Sequence, residues 1–368
     1  MRILILANYA NGLFLFRKEL LSSFLEEGHE VFISVPFDEN CEKLKPYSTR
    51  IIETKLERHG SNPFSDFGLF MNYRKMIKEH KPDMVLTYTI KPNIYGGLAC
   101  RLAKVPYICN ITGLGMAIEG GGLMSKVLVK LYAMATKKAQ VVFFQNERNR
   151  KFMQDKGVAK KNSGLLPGSG VNLTAHPFRE YPDEKDGIHF LAVVRIMRDK
   201  GIEEYLEAAK RITDKHENVY FDLVGEYEED ERSKYEPLIK ELEEAGKLKY
   251  YGHLNNVDPV FEKCHVVVHP SYHEGMSNVL LEAAACGRPI LASNIHGCIE
   301  ALEVDKSGFV FEPKDTDALE KAIERILSLS EDERSKMGSL GRKHIEQHFD
   351  RQIIIDAYKA EINKINKK

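Results

Sequence analysis

The sequence predicts an α/β protein built from two doubly wound parallel-sheet domains. Short apolar runs alternate with longer helical stretches in the first half of the chain, and the same alternation resumes after residue 187. Strands separated by helices are typical of parallel sheets. A length of 368 residues accommodates two domains of ordinary size, and 43% hydrophobic residues supply a core for each of them.

The first domain is predicted over residues 1–176. Its opening run, Arg2–Leu6, is a short apolar strand, and the apolar runs that follow are separated by helical stretches. The predicted strands lie at 2–6, 28–35, 83–87, 107–110 and 140–144, and the predicted helices at 13–27 and 123–138. A stretch with Gly and Pro at 166–171 ends this alternation.

The second domain is predicted over residues 187–349, after an exposed linker at 177–187. Its strands are expected at 189–194, 220–224, 249–251, 266–268 and 290–292, with a long helix at 317–328. The remaining segment, 350–368, is helical.

Cysteine usage and hydropathy predict a cytoplasmic protein. The six cysteines include no CxxC pair and no His/Cys metal spacing, which is typical of reduced, buried thiols. No apolar run approaches the ~18 residues that a membrane-spanning helix needs, and the first strand is too short for a signal peptide.

The charge is unevenly distributed along the chain, although Lys and Arg (53) nearly balance Asp and Glu (54). Residues 1–180 carry 26 Lys and Arg against 16 Asp and Glu, so the remainder is correspondingly acidic. This asymmetry predicts an anionic partner for the first half. An anionic membrane surface or a lipid diphosphate fits better than nucleic acid, because no basic run with interleaved aromatic residues is present.

The helix at 122–138 could contact that membrane, because it is apolar and carries several lysines along its length. Packing in the core with a solvated lysine edge is an equally open interpretation. The basic first half favours the membrane.

The segment 269–282 is the most informative part of the chain. It contains two glutamates, Glu274 and Glu282, eight residues apart, where a loop turns into a helix that Ser277 or Asn278 can cap. Such a loop follows a parallel strand, at the sheet edge where α/β proteins bind ligands. The helix N-terminus favours a phosphate, and Glu282 lies roughly 7 Å further on, which suits a ribose. Taken singly, each glutamate is better explained as a solvent-facing residue, and it is the whole arrangement that favours ligand binding.

These residues resemble the retaining glycosyltransferases of family four, whose signature is a pair of glutamates with seven residues between them. The resemblance implies the GT-B fold, in which two Rossmann-like domains face a central cleft and a C-terminal helix returns to the first domain. It implies that Glu274 contacts the donor sugar and that Glu282 holds the ribose of a nucleotide, most commonly UDP. The loop between them would contact the donor through Gly275, Met276, Ser277 and Asn278.

Two cations and two glycine-containing strand ends complete the predicted donor site. The resemblance implies that Arg195 and Lys200 hold the donor diphosphate, where they would stabilise the leaving group. The family often has Gly before this Arg, whereas Val194 stands here. Backbone groups near the base and the sugar would come from Gly225, Gly252, His253 and Leu254.

The predicted acceptor site follows strands of the first domain. Its candidates are Gly12, Lys91, Asn93, Asn110 and Thr112. A capping or turn role is equally open for each asparagine. These segments resemble transferases that extend capsule, O-antigen and glycoprotein lipid-linked glycans.

No metal and no cofactor are expected. Asp315-Thr-Asp317 has the Asp-x-Asp form of metal-dependent transferases, but it directly precedes a helix, where these residues act as caps.

The predicted function is therefore transfer of a sugar, with retention, from a UDP-sugar to a polyprenyl-diphosphate-linked saccharide. By the resemblance, the sugar is an N-acetylhexosamine and the enzyme is peripheral to the inner face of the cell membrane. Two alternatives remain: a UDP-sugar 2-epimerase of the same fold, and a non-catalytic nucleotide-sugar binding protein.

Overall fold

The computed structural model describes residues 1–55, 63–115, 118 and 120–365. It divides into two compact units. The first comprises Met1–Ser169 together with the segment that starts at Gln352, and the second is the contiguous segment Gly170–Arg351. The sequence placed the end of the first domain at residue 176 and the start of the second at 187.

Within the described residues, the first unit contains a parallel sheet of seven strands in the order β3-β2-β1-β4-β5-β6-β7. The strands are β1 (Arg2–Leu6), β2 (Glu30–Val35), β3 (Arg50–Glu53), β4 (Met84–Tyr88), β5 (Tyr107–Ile111), β6 (Val141–Phe144) and β7 (Ser163–Leu165). The helices are α1 (Ala10–Glu26), α2 (Cys41–Leu44), α3 (Pro63–His80), α4 (Gly97–Ala103), α5 (Gly122–Thr136) and α6 (Glu147–Asp155).

The second unit contains a parallel sheet of six strands, counted over the same described ranges, in the order β10-β9-β8-β11-β12-β13. The strands are β8 (Ile188–Val193), β9 (Val219–Val224), β10 (Leu248–Tyr250), β11 (Val266–His269), β12 (Ile290–Ser293) and β13 (Gly308–Phe311). The helices are α7 (Ile202–Thr213), α8 (Arg232–Glu244), α9 (Asp258–Lys263), α10 (Asn278–Ala285), α11 (Thr316–Leu327) and α12 (Glu331–His348). The predicted pair of Rossmann-like parallel-sheet domains is thus confirmed.

The strand order reverses direction at one place in each sheet. The first strand of the second unit, β8, lies next to β11, and Val267 pairs with Leu191 on one side and with Ile290 on the other. Central strands of this kind are buried on both faces, as the sequence Val-Val-Val-His of β11 requires. Ligands of doubly wound sheets bind beyond the carboxyl ends of the strands at such a reversal.

The last helix, α13 (Arg351–Asn363), packs against the sheet of the first unit. Its Tyr358 hydroxyl accepts a hydrogen bond from the Tyr88 hydroxyl at 3.2 Å and donates one to the Asn110 side chain. Ile354, Ile355 and Ile362 are buried in the same core. The predicted return of the C-terminal helix to the first domain is confirmed.

One local prediction is wrong, and a second segment has contacts that the sequence did not predict. Helix α1 begins at Ala10 rather than near residue 13, so Gly12 lies inside its first turn and not in a loop. The segment 177–187 is mostly exposed and contains no helix or strand, in agreement with the predicted exposed linker. The buried Arg288 guanidinium donates hydrogen bonds to the carbonyl oxygens of Arg179 (2.7 Å) and Glu180 (2.6 Å). These bonds fix the segment against the second unit.

None of the helices in the described part of the chain combines the length and the apolar character that crossing a bilayer requires.

Candidate active site

The loop between β11 and α10 lies at the reversal point of the second sheet. Ser277 caps α10, because its hydroxyl oxygen accepts a hydrogen bond from the Leu280 amide at 3.4 Å. The Ser277 amide itself donates to the Gly297 carbonyl at 2.8 Å, so this amide of the helix N-terminus is already paired within the protein. The buried Oδ1 atom of Asn278 has no hydrogen-bond partner among the described residues and is available to a ligand.

Glu274 is the most strongly held carboxylate of this loop. Its Oε1 atom accepts hydrogen bonds from Lys200 Nζ at 2.5 Å, from Ser271 Oγ at 2.9 Å and from His269 Nε2 at 3.0 Å. Burial alone would raise the pKa of Glu274, but the hydrogen bonds and charges of His269 and Lys200 outweigh it and lower the pKa to about 2. Glu274 is therefore ionised at any physiological pH.

The second oxygen of this carboxylate is left for a ligand. All the hydrogen bonds and ion pairs that Glu274 makes with described residues involve Oε1. Three donors thus fix the orientation of the carboxylate, while Oε2 has no protein donor within that part of the chain. A carboxylate held in this way can accept a hydrogen bond from a hydroxyl group without reorganising.

Lys200 reaches Glu274 because its turn is packed tightly against the same loop. Gly201 follows Lys200 with a φ of +69°, and a Cβ atom at this position would lie 2.1 Å from the Pro270 carbonyl oxygen. The Tyr272 amide donates to the Asp199 carbonyl at 2.9 Å, and the Tyr272 hydroxyl donates to Glu204 at 2.7 Å. The structure therefore brings together two of the predicted catalytic residues, Lys200 and Glu274.

Arg195 is more exposed and is held differently. It follows β8, and its guanidinium donates to Glu228 Oε2 at 2.8 Å, while 60% of its side chain is accessible to solvent. Gly225 lies beside it, since a Cβ atom on Gly225 would be 1.8 Å from the Val194 carbonyl oxygen. Arg195 therefore lies at the same sheet edge as Lys200 but, in this conformation, does not contact Glu274.

The predicted base-binding residues lie at the ends of β9 and β10. The Gly225 amide donates to the Gly252 carbonyl at 2.9 Å, which joins the two strand ends. His253 is exposed, and its Nδ1 atom is 3.1 Å from Glu226 Oε1. Leu254 packs against the core cluster that contains Met276 and α10. Contacts of these residues with a base stay predictions.

Glu282 lies on α10 with most of its side chain buried. Burial raises its pKa, and the electrostatic interactions with His176 and Arg351 oppose that rise. His176 Nε2 is 4.0 Å from Glu282 Oε1, and His176 Nδ1 is 2.7 Å from Asp258 Oδ1. Neither His176 nor Asp258 could be found from sequence spacing, because they are 82 residues apart in the chain.

One group in the described part of the chain has the side chains and the proximity of a metal site: His176, Asp258 and Cys286. His176 and Asp258 are already hydrogen-bonded to each other, and burial raises the pKa of the Cys286 thiol to about 12. The hydrogen bond between His176 and Asp258 and the burial of the Cys286 thiol explain the proximity of these side chains without a metal ion. Asp315 caps α11 by accepting from the Ala318 amide at 2.9 Å, as predicted, and Asp317 accepts from Arg211 at 2.7 Å.

The predicted acceptor residues of the first unit are mostly engaged within the fold. Lys91 forms an ion pair with Asp66 at 3.0 Å, and Thr112 is half-buried after β5. Asn93 is fully buried, accepts a hydrogen bond from Thr87 at 2.6 Å and donates one to the Asn110 carbonyl at 2.8 Å. Asn110, also buried, donates to the Thr87 carbonyl at 3.0 Å. Both asparagines therefore tie the ends of β4 and β5 together. Their contact with an acceptor stays a prediction.

Comparison with known families supports the architecture of both units. Residues 2–146 match the family model described as glycosyl transferase 4-like. Residues 177–344 match the model described as glycosyl transferases group 1. The second match contains the loop with Glu274 and the helix with Glu282.

Two curated relatives are transferases named for undecaprenol-linked sugars. The chain is 28% identical over 97% of both chains to the N,N'-diacetylbacillosaminyl-diphospho-undecaprenol alpha-1,3-N-acetylgalactosaminyltransferase of Campylobacter jejuni. It is 29% identical over 71% of this chain, and 70% of the relative, to the UDP-Gal:alpha-D-GlcNAc-diphosphoundecaprenol alpha-1,3-galactosyltransferase of Escherichia coli.

A solved structure shares the fold. The HepE protein of Anabaena, determined in complex with UDP, superposes with a TM-score of 0.82 at 17% identity, covering 99% of this chain and 100% of that one. With two Rossmann-like sheets and a returning C-terminal helix, the chain has the GT-B fold. From its two matching family models and its relatives, the chain belongs to the glycosyltransferases, with a 4-like first domain and a group 1 second domain.

Proposed function

We propose that this protein transfers a sugar, with retention and without a metal ion, from a UDP-sugar to a polyprenyl-diphosphate-linked saccharide. The observation that carries the proposal is Glu274, ionised, fixed through Oε1 by Lys200, and open at Oε2. Such a carboxylate at the sheet reversal suits a donor-sugar hydroxyl. The N-acetylhexosamine donor is suggested by the Campylobacter jejuni relative, an N-acetylgalactosaminyltransferase.

The same geometry supports an orienting role for Glu274. Its three hydrogen bonds and its pKa of about 2 make it a weak base and a weak nucleophile. Retention then proceeds on the front face: the sugar–phosphate bond breaks as the acceptor oxygen approaches the same face, and the departing phosphate takes the acceptor proton. Lys200 and Arg195 stabilise the charge that develops on that phosphate.

The proposed acceptor, a polyprenyl-diphosphate-linked saccharide, is supported by the names of the relatives. Both curated transferases described above are named for diphospho-undecaprenol acceptors, and one of them aligns over 97% of this chain. The excess of Lys and Arg in residues 1–180 supports the same class, because a lipid diphosphate is an anion.

The proposed membrane surface is centred on α5. One face of this helix is buried in the first unit through Val129, Tyr132 and Ala135. Beyond that face, α5 exposes apolar side chains, with 80% of Leu123 accessible to solvent, next to Lys126 and Lys130. An apolar ridge flanked by cations suits an anionic lipid surface.

UDP release from a panel of UDP-sugars, with and without a synthetic prenyl-diphosphate saccharide, tests the activity. We expect acceptor-dependent release from one donor, reduced by about 10²-fold in Glu282→Ala because the ribose loses its acceptor. Glu324→Ala is the matched control, since Glu324 is a partly buried helical glutamate of α11 that also lies beside a histidine, His216, at 3.0 Å. Acceptor-independent release with a change in the sugar's configuration would instead identify an epimerase, and UDP binding without any turnover would identify a binding protein.

Vesicle flotation tests the membrane surface. We expect Leu123→Ser combined with Val127→Ser to reduce binding to phosphatidylglycerol vesicles at least about fivefold, because apolar area and anionic lipid act together. Leu238→Ser is the control: it removes from α8 of the second unit a leucine that is 45% exposed, close to the 46% of Val127. Equal binding of the double variant and the wild type would contradict this assignment of the surface.

A further inference from the structure

A histidine–aspartate pair lies directly behind the Glu282 carboxylate. His176 Nδ1 is hydrogen-bonded to Asp258 Oδ1 at 2.7 Å, and the opposite ring nitrogen, Nε2, is 4.0 Å from Glu282 Oε1. Only 18% of each side chain in the pair is accessible to solvent. The three groups come from separate parts of the chain, so this alignment is a product of the fold.

The backbone holds the imidazole in place. The His176 amide donates to the Asn172 carbonyl at 2.9 Å, and the His176 carbonyl accepts from Arg342 Nη1 at 2.9 Å. Arg342 also donates to the Ala285 carbonyl at 2.8 Å, at the end of the helix that carries Glu282. His176 and α10 are thus connected through one guanidinium as well as through the facing side chains.

Hydrogen-bond chemistry links the proton of the pair to the state of Glu282. Asp258 accepts, so Nδ1 of His176 carries a proton. Nε2 and Glu282 Oε1 then face each other and are compatible in two ways: an imidazolium beside a carboxylate, or a neutral ring beside a protonated acid. The electrostatic interaction with His176 opposes the rise that burial causes in the pKa of Glu282, so it favours the ionised carboxylate.

An ionised Glu282 is what ribose recognition needs. A carboxylate accepts hydrogen bonds from two neighbouring hydroxyls, whereas a protonated acid presents a donor in place of one acceptor. Burial disfavours the charged form of this carboxyl group, as its raised pKa shows. The charged groups that face it are His176, Arg351 and, repulsively, Asp258.

We propose that His176, oriented by Asp258, is a positioning residue that keeps Glu282 ionised and aimed at the 2′- and 3′-hydroxyls of the donor ribose. This inference rests on the proposed function, in which Glu282 binds the ribose. His176 acts through Glu282 and does not contact the reacting atoms. Its contribution appears in donor affinity and in discrimination between ribose and deoxyribose nucleotides.

The test compares the dissociation constants of UDP and 2′,3′-dideoxyuridine diphosphate by calorimetry. We expect His176→Ala to weaken UDP binding about tenfold and the dideoxy analogue less than about twofold, because the analogue lacks the hydroxyls that Glu282 accepts from. Asp258→Asn, which keeps the side-chain shape, is expected to show a smaller loss of the same kind. In turnover, the KM for the UDP-sugar rises while kcat stays within about twofold.

A matched control exists in the same unit. His189 forms the same kind of pair with Asp222, also at 2.7 Å, but near the start of β8, at the sheet edge opposite the strands' carboxyl ends. His189→Ala is expected to leave both dissociation constants unchanged. Thermal unfolding of each variant separates a folding defect from a binding effect, and Asp258→Asn provides the same readout if His176→Ala does not fold.

The outcomes separate this inference from the proposed function. If His176→Ala weakens the binding of UDP and of the dideoxy analogue by the same factor, His176 has only a structural role, and the inference is overturned. No loss for either nucleotide would overturn it as well. If Glu282→Ala and the wild type both bind the two nucleotides equally well, Glu282 does not recognise the ribose, and the donor-site assignment itself fails.

Discussion

Glu274→Gln is expected to reduce acceptor-dependent transfer by about 10²–10³-fold while changing UDP affinity by less than about threefold. The amide has nearly the shape of the carboxylate, but it lacks the charge. With its oxygen accepting from Lys200, Ser271 and His269, it presents an N–H donor where Oε2 would accept from the donor sugar. Initial rates at saturating acceptor, together with UDP calorimetry, measure the two quantities. Transfer above about a tenth of the wild-type rate would rule out a role for Glu274 in catalysis.

The stability of the same variant tests the ion pair. Lys200 and Glu274 expose only 19% and 15% of their side chains, so removing one charge leaves the other largely buried. We expect Glu274→Gln to lower the free energy of unfolding by about 2–3 kcal/mol, and Lys200→Met combined with Glu274→Gln to recover part of that loss. We expect the transfer activity of the double variant to stay low. This result would separate the role of the ion pair in catalysis from its effect on stability.

Gly201→Ala is expected to lower the free energy of unfolding by about 3 kcal/mol and transfer by about 10²-fold. An alanine Cβ would lie 2.1 Å from the Pro270 carbonyl oxygen, so the turn that carries Lys200 must move away from the loop that carries Glu274. That movement lengthens the contact between Lys200 and Glu274, and a misplacement of ~1 Å is enough for a loss of this size. Chemical denaturation and UDP release measure the two effects.

Gly246→Ala measures how much of the destabilisation by Gly201→Ala comes from the left-handed backbone conformation alone. Gly246 has the same φ of +69°, after α8, but nothing lies within 4 Å of its Cβ position. Its substitution carries only the left-handed backbone cost of about 1–2 kcal/mol and leaves transfer unchanged. Equal losses of activity in the two glycine variants would show that close contact with Pro270 is not what positions Lys200.

Most strands of the two sheets could be predicted because each strand is encoded by a short apolar run of consecutive residues. The run Val-Val-Val-His of β11 is apolar and β-branched, and the glutamates of the following segment stand at a fixed spacing. Local hydrophobic runs and turn residues therefore predicted the order of strands and helices. Short edge strands such as β3 and β7 carry too few apolar residues to be recognised in this way.

The supporting residues of the site could not be predicted, because they meet only in three dimensions. His269 stands inside the informative segment, but its contact with Glu274 depends on how the loop folds back. His176 and Asp258 have no shared motif. For Asn93 and Asn110, the position after a strand predicted ligand contacts, whereas the buried strand ends required polar partners, and both amides supply them.

The two units differ in how much of the chain must be synthesised before each of them can complete its fold. The second unit is contiguous from Gly170 to Arg351, whereas the first takes its final helix from the end of the chain. A nascent chain can thus complete the later domain first, while the earlier one waits for Ile354, Tyr358 and Ile362 to leave the ribosome and close its core. Premature termination after residue 351 would spare the second unit and leave the first unit with an apolar surface open to chaperones.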